Sequence, residues 1–122
     1  SENSRTLIDR ISRQILQQSL VFLDANKASS SLMVVLLNIL KKLKLGYSDE
    51  ITIRFIIHGA FVIERAIRSD PLPNKKTQEI INSHADVYNT ISLELNELNN
   101  IFNISISKAE IATITQIFLE YM

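Results

Sequence analysis

Residues Ile51 to Arg68, ITIRFIIHGAFVIERAIR, form an almost unbroken apolar segment crossed by one histidine, His58, and three arginines. A stretch of this kind has to be enclosed, so the rest of the chain must supply packing around it. Read as a helix turning about 100° per residue, the segment sets Arg54, His58 and Arg65 on one stripe within about 40° of each other. Neighbouring positive charge disfavours the imidazolium, which keeps the ring neutral and nucleophilic near its reference pKa of about 6.5. The same arginines would hold an anion attached to that ring.

The flanking sequence has helical periodicity. From Thr6 to Leu23, Leu7, Ile8, Ile11, Ile15, Leu16 and Leu20 recur at spacings of three and four, which predicts a first helix. Asp24 to Lys27 breaks that pattern. Ser29 to Ser31 then offer caps for a second helix through about Leu43, with Leu32, Val35, Leu36, Ile39, Leu40 and Leu43 as its stripe. Lys41, Lys42 and Lys44 crowd its end, where the helix dipole favours cations, and Gly46 is expected to stop it.

Ser48 or Asp49 caps a third helix from about Asp49 to Arg68. Ile51 to Phe55 also alternates with period two, so a short strand competes there; Glu64 and Arg68, four apart, favour the helix as a structural pair. Pro71 and Pro73 make 69–74 a loop. A long fourth helix opens at Asn74 or Thr77, with a stripe of Ile80, Ile81, Ala85, Tyr88, Ile91, Leu95, Leu98 and Phe102 and an end among Asn99, Asn100 and Asn103. Ser107 and Glu110 have capping-box spacing, and a fifth helix runs through Ile111, Ile114, Phe118 and Tyr121. Apolar residues are 46% of the chain, with only two Gly and two Pro, a composition for packed helices rather than many turns. The expectation is an all-α fold, a compact bundle of five helices, with residues 1–122 as one domain.

Thirteen basic and thirteen acidic residues give no net charge, so no basic field is available to attract nucleic acid. Without cysteine there are no disulfides or thiolate metal sites. Ser1 to Arg13 is polar and has no signal-peptide core, and the longest apolar run, Leu32 to Leu37, is far short of the ~20 residues needed to cross a bilayer. The expectation is a soluble, cytoplasmic protein. The chain opens on Ser1 rather than Met, so it is expected to be a piece excised from a larger regulator.

Two histidines without metal-ligand spacing do not make a metal site, and no Gly-rich phosphate loop or GxSxG is present. No cofactor and no enzymatic activity are expected. His84 reads as a surface histidine. For His58 the residues leave two readings open: a core histidine bonded to a carbonyl, or a ring that takes a phosphoryl group, whose roughly two negative charges would lie beside Arg54 and Arg65.

The run His58-Gly59-Ala60-Phe61-Val62-Ile63-Glu64-Arg65 resembles the first histidine motif of the PTS regulation domain, in which Phe follows the histidine by three residues and Glu-Arg by six and seven. Asn103 to Ala112 is similar to the approach to the last helix in the same family, and the likeness covers essentially the whole chain. Val21-Phe22-Leu23-Asp24 and Leu45-Gly46 are closer to the LevR-like, sigma-54-dependent bacterial activators than to the antiterminators.

The resemblance implies a regulatory domain of a bacterial transcription regulator that controls sugar-uptake or catabolic genes. Such a domain is phosphorylated on histidine by the phosphoenolpyruvate:sugar phosphotransferase system, through the phosphocarrier HPr or a sugar-specific component, and shifts homodimer contacts in response. Carried onto this chain, it makes His58 the phosphorylated histidine and Arg65 its motif arginine; Arg54 is added as a second phosphate-supporting residue by helix geometry. Family members often have a second such histidine seven residues after the acidic residue that opens the last helix, and here Ile117 stands there. The alternative is a helical dimerisation module that never receives phosphate, with His58 as a structural core residue. A histidine relay domain of two-component systems would need a lysine beside the histidine, and only Gly59 is present.

Overall fold

Asp24 does more than interrupt a pattern: its carboxylate accepts the backbone N–H groups of Asn26 and Lys27, so the second helix starts at Ala25 rather than beyond Ser29. In the computed structural model, which describes residues 2–19 and 24–122, the helices are α1 (Glu2–Ser19), α2 (Ala25–Leu43), α3 (Asp49–Ile67), α4 (Thr77–Ser83), α5 (Ala85–Phe102) and α6 (Lys108–Leu119). The described residues contain no strand, and Ile51 to Phe55 is helical. The end expected of the first helix at Leu20 to Leu23, and Val21-Phe22-Leu23 of the family motif, lie outside the described residues.

Six helices replace the expected five, because the long fourth helix breaks at His84, where φ is −133° and ψ is 45°. No Gly or Pro marks the break. The bend lets α4 pack on α6 while α5 packs on α2 and α6. Ala85, counted in the apolar stripe, is exposed, so the stripe that bridged the break in sequence is interrupted in space.

α2 ends at Leu43, as the periodicity predicts, but the residue that closes it is not the expected Gly46. Lys44 takes the left-handed conformation at φ 57°, its N–H reaching Leu40 and Lys41 carbonyls, while Leu45 N–H bonds the Leu40 carbonyl. This Schellman-type closure stops the helix two residues before Gly46. Ser29, expected as a cap, is buried inside α2 and donates to Asp9 of α1. Arg13 extends that join, bonding Asp9, Asn26 and Ser30.

α3 is the central rod, packed against α1, α2, α5 and α6. Ile51, Phe55, Ile56, Ala60 and Ile63 form its enclosed face, and Phe55 meets Phe118 of α6 edge-on with ring centroids 5.6 Å apart. Ser48 caps it by accepting the Ile51 N–H, with Asp49 and Glu50 complementing the dipole in the first turn. Leu32 of α2 lies close against α3 at Gly59, where an added Cβ would be 2.7 Å from Leu32 Cδ2. The loop after α3 is tied to α6 by Asn74, whose amide donates to Thr113 and Gln116.

Gly59→Ala gains up to ~1 kcal/mol in helix propensity but overpacks a sealed contact at a typical cost of ~1–3 kcal/mol, so a net loss of about 1 kcal/mol is expected. Urea unfolding of Gly59→Ala, Leu32→Ala and the double variant checks it: the cost at residue 59 should vanish once Leu32 is shortened, and additive costs would refute the contact.

Candidate functional site

α3 divides its two sides sharply. The Ile51, Phe55, Ile63 side is sealed, whereas His58 is exposed with Arg54 and Arg65 half-buried beside it on the expected stripe. The helix that faces this stripe is α6, which runs antiparallel to α3. Arg65 binds Glu110 at the start of α6, and Arg54 binds Glu120 and Tyr121 at its end. Arg54 and Arg65 are eleven residues apart, as are Tyr121 and Glu110, so the two helices keep one register between these ties. His58 stands seven residues before Arg65 and Ile117 seven after Glu110, which sets Ile117 across from His58. The location at which a second histidine would stand holds an apolar side chain only 5% exposed.

The two arginine ties differ in kind. Arg65 grips Glu110 through both ends of its fork, Nε to Oε2 at 2.7 Å and Nη2 to Oε1 at 3.1 Å, and the Glu110 side chain is 2% exposed. Stripping one partner from such a pair leaves a buried charge and costs about 3–5 kcal/mol. Sequence spacing offered Glu110 as one half of a capping box. Only the Ser107 half exists, the hydroxyl accepting the Glu110 N–H, because the carboxylate has been drawn to the guanidinium instead.

Arg54 makes a surface tie. Its Nη1 donates to Glu120, whose side chain is 59% exposed, and to the Tyr121 hydroxyl at 3.2 Å; its guanidinium lies 5.7 Å from the Tyr121 ring centre. The Tyr121 hydroxyl in turn donates to Glu50 at 2.7 Å. Hydrogen bonds from Arg54 hold the Glu120 carboxyl below its ordinary value, and the bonds to Glu120 and Tyr121 push the guanidinium further up.

The His58 ring is held below its ordinary value of 6.5, first by desolvation and then by the fields of Arg54 and Arg65. It is therefore an accessible, neutral imidazole with a lone pair available, next to two fixed cations. That combination suits capture of an electrophile that arrives carrying negative charge.

The remaining candidates lie elsewhere. Glu64, expected as a structural partner of Arg68, is buried at 5% exposure. His84 stands exposed at the α4–α5 break, where its backbone bonds Ile80 and Tyr88. No group of three metal-ligating side chains occurs among the described residues, and no helix among them is long and apolar enough to cross a membrane. A cavity of about 570 Å³ at the Ser105–Ser107 end of the bundle is not lined by His58. Glu110, Glu120, Tyr121 and Glu50 were not singled out as parts of a site from sequence. The usable signal was the eleven-residue spacing repeated on α3 and α6.

Arg65→Met should lose about 3–5 kcal/mol in urea unfolding, and Glu110→Met in the same chain should restore most of it, as expected for a buried ion pair replaced by apolar groups. The lowered pKa of His58 gives a second expectation. Its contribution to stability is whole above the unfolded value of 6.5 and is lost as pH falls through the lower folded value. Thermal unfolding between about pH 7.5 and pH 5.5 should show less loss in His58→Asn than in the parent; equal losses would refute the shift.

Comparison with known families gives one match: the model of the PRD domain aligns with residues 34–121, from within α2 to the end of α6. Comparison with curated proteins gives no match, and comparison with solved structures gives none.

Proposed function

Since the chain belongs to the PRD domain family, whose members are regulatory rather than catalytic domains, we propose that it is the phosphorylation-responsive part of a bacterial transcription regulator controlling sugar-uptake or catabolic genes. His58 is the phosphoacceptor. The observation that supports this is an exposed imidazole held neutral between Arg54 and Arg65. A core role for the ring would require it to be enclosed, and it is not.

The donor in this reading is a phosphohistidine of the sugar phosphotransferase system, on the phosphocarrier HPr or on a sugar-specific component. The unprotonated ring nitrogen of His58 attacks phosphorus, a new N–P bond forms, and the donor's N–P bond breaks. The donor, protonated on its other nitrogen, leaves as neutral imidazole, while phosphorylated His58 keeps the proton already on its second nitrogen. Arg54 and Arg65 lower the cost of bringing the phosphoryl charge to α3. The domain works in the cytoplasm as a homodimer whose contacts shift with phosphorylation, within a regulator of the LevR-like, sigma-54-dependent kind. With Ile117 opposite, His58 is its single family-type acceptor.

Incubation with phosphoenolpyruvate, the general phosphotransfer proteins and each candidate sugar-specific component should label His58. Mass spectrometry under alkaline conditions, which preserve phosphohistidine, locates the label. Label on another residue, or none on His58 with every donor tried, would sink the proposal.

A further inference from the structure

We propose that Arg54 is an exchangeable latch: a phosphoryl group on His58 takes its guanidinium from Glu120 and Tyr121, and so reduces the polar ties of this network between the end of α6 and α3 to the bond between Tyr121 and Glu50. This rests on the phosphoacceptor reading of His58 and adds the route by which the modification reaches a second helix. Arg54 stands one turn before His58, where side chains four apart on a helix are neighbours. Arg65 lies two turns beyond, about 10 Å along the axis, and is pinned by a buried carboxylate. Only one of the two arginines is therefore both near the phosphoryl group and free to turn to it.

Charge decides the exchange. Glu120 offers a single carboxylate in a largely solvated setting, whereas a phosphoryl group brings close to two charges and three acceptor oxygens. The new charge also repels the Glu120 carboxylate, so attraction at Arg54 and repulsion at Glu120 act in the same direction. Once Arg54 has turned, Tyr121 keeps only its bond to Glu50 from the original network. The release is confined to the end of the helix, because Phe118 remains enclosed against Phe55 and Glu110 remains held by Arg65.

The test uses phosphoramidate, a small chemical phosphoryl donor, so that it does not depend on any protein donor. After mass spectrometry has located the label on His58, amide and tyrosine-ring NMR spectra are compared with and without phosphate. Glu120, Tyr121 and Met122 are expected to shift several-fold more than Lys108 to Ile111. Arg54→Gln should show the untied positions before phosphorylation and little further change after it, and Glu120→Gln should respond less than the parent. Phosphorylated His58 with an unmoved α6 terminus, or a full response in Arg54→Gln, would overturn the latch. Failure of protein donors alongside a chemically driven shift would refute the biological phosphorylation and leave the latch standing.

Discussion

The pairing of Arg65 with Glu110 is the constraint on which the candidate functional face depends. A carboxylate only 2% exposed cannot stand alone in a helical core, and the forked guanidinium of α3 is what satisfies it. Because both residues sit on rigid helices, this pair fixes where along α3 the α6 helix begins. Everything further along follows from a common rise per residue: Ile117 comes level with His58, and Glu120 and Tyr121 come level with Arg54. A buried pair of this type is weak evidence for stability but good evidence for register, since a slip by one turn would strand both charges.

The same helix serves packing and carries the candidate site because its two sides are separated so sharply. Gly59 lets α2 come close enough for Leu32 to lie against the backbone of α3, and Phe55 fills the space towards α6. These contacts immobilise the rod without covering the neighbouring stripe. His58, one residue before Gly59, is thus carried on a well-packed element while its own ring stays open. A side chain held this way needs little reorganisation to make a new contact.

Much of this was legible from residue order. Spacings of three and four located the helices, the two prolines placed the loop after α3, and helical geometry put Arg54, His58 and Arg65 together. The misses have physical causes. Asp24 looked like a breaker because a cap residue and a loop residue are chemically alike; only the accepted N–H groups of Asn26 and Lys27 tell them apart. Lys44, not Gly46, closes α2, where the bonds of its N–H to two carbonyls offset the ~1–2 kcal/mol that the αL conformation costs a residue with a Cβ. The break at His84 left no glycine or proline to read, and Ala85 is too small and too neutral to report which side it faces. For the site, sequence could show the cations but not their counter-charges, because Glu110 and Glu120 lie forty-five and sixty-six residues away from their partners.

The contrast between those counter-charges gives the face its polarity. Glu110 is enclosed and doubly bonded, so the Arg65 end behaves as a fixed post; Glu120 is solvated and singly bonded, so the Arg54 end is the weaker one. With isoleucine rather than histidine at residue 117, no ionisable group on α6 comes level with His58. The cations whose fields act on His58, Arg54 and Arg65, both stand on α3, and one of them is committed to Glu110. In the proposed latch the added charge acts along one helix toward the weaker tie, and the end of α6 that Arg54 holds is where its effect emerges.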